Sequence, residues 1–149
     1  MIPTASLDKS SQKTNIWVRD ALIQLDWTDS QRGYAALRAV LHALRDRLPV
    51  AEIVQLGAQL PTFIRGVYYE GWNPAHTPVK NRKKEAFLDQ ILSVFTRRAD
   101  VEAEQVARAI IRVLLYHVSK GEMDQIRNAL PHEIRQYFPA HDIVLRQVS

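Results

Sequence analysis

The sequence predicts an all-α fold, a compact helical bundle of about six main helices. Apolar residues return at helical spacing along most of the chain, and no segment alternates with period two for long enough to argue a strand. The first half also recurs seventy residues later without a gap, so that Leu22, Ala39, Leu44, Leu60, Pro61 and Ile64 meet identical residues at Leu92, Ala109, Leu114, Leu130, Pro131 and Ile134. A self-match at one fixed period marks a duplicated unit. We therefore expect two tandem three-helix repeats at about 14–70 and 81–139, joined by a crossover loop at 71–80 and followed by a tail at 140–149. A unit this short cannot cover its own apolar stripe. The two repeats should close on each other about a pseudo-twofold axis and make one domain over 1–149.

In the first repeat Val18, Leu22 and Leu25 fall at i, i+4 and i+7 and make a short amphipathic helix ending near Asp26, with Trp17 and Ala21 flanking the stripe. Thr28 with Gln31 has capping-box spacing and opens a second helix, whose Leu37, Val40, Leu41, Leu44 and Leu48 run to Pro49. Pro49 suits the first turn of a third helix carrying Ile53, Val54, Leu56 and Leu60. Pro61 then kinks that helix or starts a final short turn holding Ile64, Val67 and Tyr68.

The second repeat keeps the plan. Phe87, Leu88, Ile91, Leu92 and Phe95 form its first stripe, and Asp100 is the expected cap of a helix lined by Val106, Ile110, Val113 and Leu114. Ser119 with Glu122 makes another capping box ahead of Met123, Ile126 and Leu130. Beyond Pro131 come Ile134, Tyr137 and Phe138, and Pro139 marks the end.

Composition removes several function classes. There is no cysteine, hence no disulfide, thiolate zinc site or thiol nucleophile, which fits a reducing cytoplasm. The stretch 1–14 is polar, lacks the apolar middle of a signal peptide, and with Ser6, Ser10 and Ser11 reads as a disordered tail. No run of about eighteen apolar residues argues a membrane span. The net charge of +4 is local: 14–70 holds six basic and six acidic residues, and 84–140 holds eight of each. The surplus is Lys80, Arg82 and Lys83, with about one charge from the N-terminal stretch.

Catalytic, metal and cofactor signatures are absent from the pattern. His42, His76, His117, His132 and His141 include no i, i+4 pair, and the five glycines never open a helix after a strand. His132 with Glu133 reads as a solvated turn rather than an acid–base pair.

The crossover is the most distinctive stretch, running Tyr68-Tyr69-Glu70-Gly71-Trp72-Asn73-Pro74-Ala75-His76-Thr77-Pro78. Gly71 opens backbone angles closed to other residues, the prolines fix theirs, and Trp72 needs cover. Trp72 either pins the crossover to the bundle or joins His76 and the basic Lys80, Arg82, Lys83 and Lys84 in meeting a partner. With Leu37-Arg38-Ala39-Val40-Leu41, Leu44-Arg45-Asp46-Arg47-Leu48, Gln59-Leu60-Pro61, Val118-Ser119-Lys120-Gly121-Glu122 and Leu130-Pro131, this run resembles the bacterial family named domain of unknown function 2267. The resemblance covers roughly 17–139. It implies an all-α protein with no established activity and no catalytic residues to carry over.

Charged residues kept at the seventy-residue spacing are candidates for structure or for anion binding. Arg65 and Arg135 stand five residues after a leucine followed by proline, and each is expected to pair with Glu52 or Glu122 of the other copy. Arg38 and Arg108 recur in the same way. The leading functional reading is a non-enzymatic protein-interaction or self-association module. One alternative is nucleic-acid binding through the basic run at 80–84, although cations at a helix start oppose its dipole. The other is a small-molecule sensor or enzyme with an apolar pocket between the repeats, lined by residues such as Trp17, Trp27, Trp72 and Phe63.

Overall fold

A computed structural model of the chain describes residues 4–95 and 100–140. It is helical throughout the described regular elements: α1 (Thr4–Leu25), α2 (Ser30–Arg45), α3 (Val50–Ala58), α4 (Thr62–Tyr69), α5 (Lys84–Leu92), α6 (Ala103–His117) and α7 (Lys120–Ala129), with short 3-10 helices at Pro74–His76 and His132–Tyr137. The expected tail lies outside the described residues except for Ala140.

The central helices are α2 and α6, which pack on each other. Both are buried almost all round, α2 through Ala36, Leu37, Val40, Leu41 and Leu44, α6 through Val106, Ala107, Ile110, Ile111 and Leu114. Helix α1 lies on α2 and α6, while α5 lies on α6 and α2. Helix α3 rests on α7, α4 packs on α2 and α1, and the segment His132–Tyr137 packs on α6 and α5. Positions seventy apart share their burial: Ile53 and Met123, Leu56 and Ile126, Leu60 and Leu130, Ile64 and Ile134 are all inside. Each fully buried aliphatic side chain of this kind contributes about 2 kcal/mol.

Several boundaries differ from the expectations. More than six helical segments are present, because Pro61 opens a separate helix and short 3-10 helices follow at Pro74–His76 and His132–Tyr137; Pro49 and Pro61 sit at N-cap positions with extended backbone, outside the helices that they open. Their carbonyls accept the first bonds of those helices, from Ile53 N at 3.0 Å and Arg65 N at 2.7 Å. A ring that cannot donate loses nothing there. The second helix is capped by Asp29, not Thr28: its carboxylate accepts from Gln31 N at 2.9 Å, and a negative group suits a helix N-terminus. Glu102, not Asp100, is the N-cap of α6, and its side chain makes no capping bond.

The polar stretch before Thr14 is helical from Thr4. Packing of Trp17 to Leu25 supplies the costly nucleus, and each added residue then extends a helix already formed. The buried stripe of α1 is Trp17, Ala21 and Leu25, with Val18 and Leu22 half-buried, so the helix is turned relative to the expectation. Gly33 explains the turn: a Cβ there would meet Leu22 Cδ2 at 2.8 Å, so α2 approaches α1 closely over that leucine. Helix α1 ends in a Schellman motif, with Trp27 N bonded to Leu22 O at 3.1 Å, Asp26 N to Ile23 O at 3.3 Å, and Asp26 at φ 58.

Candidate interaction face

Helix α1 passes α4 and the α3–α4 junction, and clefts open on both flanks of it there, two on one flank and a third on the other. The first, about 220 Å³, is lined by Lys13, Ile16, Trp17, Gln59, Pro61 and His117. The second, about 400 Å³, shares Lys13, Gln59 and Pro61 and adds Lys9 and Arg65. The third, about 310 Å³, shares Ser10 and is walled by Leu7 and Phe63. Leu7 is 54% exposed and Phe63 51%, and the two face each other across the third cleft, while Ile16, 38% exposed, stands on the opposite flank of α1. No acidic residue is among those lining the three clefts. From Leu7 to Trp17 the helix rises about 15 Å.

The first cleft ties the two halves of the chain together. The His117 ring stacks on Trp17 with centroids 4.6 Å apart, and its Nε2 lies 2.7 Å from Asp20 Oδ2. With the carboxylate accepting, Nε2 carries the proton. The partner of His117 is thus a carboxylate and not a hydroxyl, an arrangement that positions an imidazole without activating a nucleophile. Beside it Gln59 Nε2 donates to Ser119 Oγ at 3.1 Å, and Ser119 N donates to Gln59 Oε1 at 3.0 Å. Ser119 Oγ also accepts from Glu122 N at 3.2 Å, which is the expected cap of α7.

The residues singled out from the sequence fall in several places. Trp72 is half-buried against the core, 5.6 Å from the Tyr69 ring, and donates from Nε1 to Thr77 Oγ1 at 3.0 Å. It pins the crossover, helped by Gly71 at φ 69 and by Val79 N donating to Asp46 O at 2.8 Å. His76 is exposed and 3.1 Å from Asn73 Nδ2. Lys80, Arg82 and Lys83 are exposed and line none of the three clefts, while Lys84 is half-buried. The basic residues at the start of α5 have an acid beside them after all: Glu133 Oε1 accepts from Lys84 N at 3.4 Å, which restores the favourable sign at that helix end.

Arg65 and Arg135 do not bond the glutamates of the other copy. Arg65 donates to Gly57 O at 2.8 Å, Ala58 O at 3.3 Å and Leu60 O at 2.9 Å, and Arg135 to Leu130 O at 3.1 Å and Asn128 O at 2.7 Å. Each closes the C-terminal carbonyls of the helix before it, α3 or α7, where a cation also meets the negative end of the dipole. Arg38 and Arg108 likewise stay within their own halves, on Glu70 Oε1 at 3.0 Å and Gln136 O at 2.9 Å. Glu52 and Glu122 are left on the packed helices α3 and α7, each with a buried Oε2 that has no hydrogen-bond partner. Glu122 is only 7% exposed. Burial, and then the neighbouring Glu52, raise its carboxyl above the ordinary range. Two carboxylates fall short of a metal site, and among the described residues no group of three or more His, Asp or Glu gathers to hold an ion.

Two buried arginines escaped the sequence reading. Arg45 Nη1 donates to Tyr68 O and Glu70 O, both at 2.7 Å, and its Nε to Asp46 Oδ1 at 2.9 Å, fastening the end of α4 to the end of α2. Arg47 Nη1 donates to Ala43 O at 2.9 Å and Gln90 Oε1 at 2.6 Å, and its guanidinium lies 5.4 Å from the Phe87 ring. The run Leu44 to Leu48, which carried the family resemblance, is therefore a structural staple. Tyr68 completes it by donating to Ile53 O at 2.8 Å, with burial pushing its phenol well up.

Among the described residues no helix is long and apolar enough to cross a membrane. A family model described as an uncharacterized conserved protein matches residues 14–137. No curated protein matches the chain.

Proposed function

The chain belongs to the DUF2267 family of uncharacterized conserved proteins, whose description assigns no activity, and on that premise we propose that it is a non-catalytic module that binds another protein along the α1–α4 side. The observation that carries this reading is the pairing of Leu7 and Phe63, 54% and 51% exposed, as walls of one cleft between α1 and α4. Exposed apolar side chains gathered on one face are what a binding surface leaves in water. Trp72 supports the crossover in this reading, and His76, Lys80, Arg82 and Lys83 form a solvated edge beside the half-buried Lys84. The paired seats of residues seventy apart support a further part of the proposal, that the halves are two copies about a pseudo-twofold axis and work as one domain. The cysteine-free composition supports a reducing, cytoplasmic setting.

A photo-cross-linking residue placed at Phe63 in the native cells tests the reading, with the same probe at exposed Gln136 as the control. A discrete adduct confined to position 63 is expected. An identical background at both positions, or none at either, would remove the support. Self-association is distinguished within the same experiment, since the adduct would then have the mass of two chains. The nucleic-acid alternative predicts salt-sensitive retention of DNA or RNA that is lost on K80E/R82E/K83E.

A further inference from the structure

On the flank of α1 opposite the Leu7–Phe63 cleft, we infer that the first and second clefts are one site for a small phosphate monoester with a flat apolar body, its phosphate between Lys9, Lys13 and Arg65 and its body on Ile16, Trp17 and Pro61.

The residues belong to one continuous depression. Lys9, Lys13 and Ile16 follow at i, i+4 and i+7, which puts all three on one stripe of α1. The two clefts share Lys13, Gln59 and Pro61 and so run into each other along that stripe. At about 220 and 400 Å³ they reach the lower part of the range, about 300–1,000 Å³, that small-molecule sites occupy. Lys80, Arg82 and Lys83 line neither cleft, so the cations do not continue into a track for a polyanion backbone.

The charges fix which end of the ligand goes where. Lys9 and Lys13 stand on successive turns of α1, and Arg65 lines the same cleft from α4. Like charges four residues apart destabilise a helix, and neither lysine has an ion pair among the described residues. Arg65 is held by its Nε and Nη2 bonds to the end of α3, and those bonds leave Nη1 without a partner among the described residues. A guanidinium fixed in this way presents a donor at little further entropy cost. A phosphate brings about −1.5 to −2 charges near pH 7 and three acceptor oxygens, a closer match to three cations than one carboxylate is. The hydroxyl-bearing Ser10 and Thr62 line the same cleft.

The inner end is different. Asp20 lies on the same stripe, seven residues beyond Lys13, with its carboxylate 2.7 Å from His117 Nε2, so a second anion is unwelcome there. Ile16, Trp17 and Pro61 offer apolar contact instead, and the other walls are already set: His117 by Asp20 and by its stack on Trp17, Gln59 by its two bonds to Ser119. Walls fixed before binding cost little to order around a ligand.

Phenyl phosphate, inorganic phosphate, benzoate and benzylamine are the probes, titrated into the full chain and followed by its amide resonances. Phenyl phosphate should shift Lys9 to Trp17, Thr62 and Arg65 while His76 and Lys80 stay in place, bind about tenfold more tightly than benzoate, and weaken as salt rises. K9Q/K13Q should lower its affinity by about tenfold or more with the thermal melt unchanged, and K80Q/R82Q/K83Q should leave it as it was. I16A should weaken phenyl phosphate and leave inorganic phosphate untouched, which reads the apolar half of the site separately. Equal binding of benzylamine, equal binding of benzoate, no shift at about 10 mM phenyl phosphate, or indifference to K9Q/K13Q would overturn the inference. So would displacement of phenyl phosphate by anionic phospholipid vesicles or by duplex DNA, which would assign the cations to a membrane surface or to a polyanion.

Discussion

Replacing Glu122 with glutamine should stabilise this protein, and by more as the pH rises. The side chain is almost wholly inside, its Oε2 has no donor, and Glu52 places a second orphaned Oε2 on the facing helix. An unsatisfied buried polar group costs about 1–3 kcal/mol, and more when charged. The fold relieves this by holding the proton more tightly than the unfolded chain does, so the folded value is raised above the ordinary 4.5. The stability that comes from that proton is fully present below the unfolded value and is lost as pH rises through the folded one. Glutamine keeps the shape and never ionises. The E122Q advantage should therefore be near zero at about pH 4 and grow to about 1–2 kcal/mol near neutrality, a rise of about 3 °C in Tm per kcal/mol. Urea titrations of both proteins across that range measure it, with E52Q and the double variant giving the coupling between the two carboxyls. A gap of constant size at every pH, or a destabilised E122Q, would refute the reasoning, because the carboxylate would then be making a contact that the fold needs.

Arg45→Ala should lose about 3 kcal/mol in urea unfolding, since the Tyr68 and Glu70 carbonyls and Asp46 lose their donor together; Arg45→Lys should recover only part, a single ammonium being unable to fork. Gly57→Ala should cost about 1–3 kcal/mol because the new Cβ would run into the Tyr69 ring, and G57A/Y69A should lose less than the sum of the single variants. Asp26→Gly should raise stability by about 0.5–1 kcal/mol by relieving a left-handed residue at the end of α1, as thermal melts would show.

The central helices were the easiest part to read. Leu37 to Leu48 and Val106 to Leu114 repeat an apolar period that holds wherever a helix is packed on several sides. Prolines 49 and 61 announced helix starts, but Pro61 left a kink and a new helix equally open, and the structure starts α4 there. Residues 7–13 of α1 carry no apolar period, because most of their surface faces water, and composition alone then argues for disorder. Arg45 and Arg47 were missed because cations belong outside by default; only the tertiary arrangement gives their donors carbonyls to meet. The pairing expected of Arg65 and Arg135 failed for a related reason. Helix ends offer carbonyls within the reach of the same side chain, and a local partner needs less ordering than a distant one. The cleft between α1 and α4 had only a faint signal, Leu7 and Phe63, which fit neither stripe of their helices.

Because α1 leans on α6 and α5 leans on α2, neither half owns the wall that shields it. During synthesis the leading portion must wait, with its leucines open to solvent, until α6 has left the ribosome, a window in which stray association competes with folding. A protease nick between Asn73 and Pro78 should, for the same reason, leave two fragments that travel as one particle and part only in denaturant.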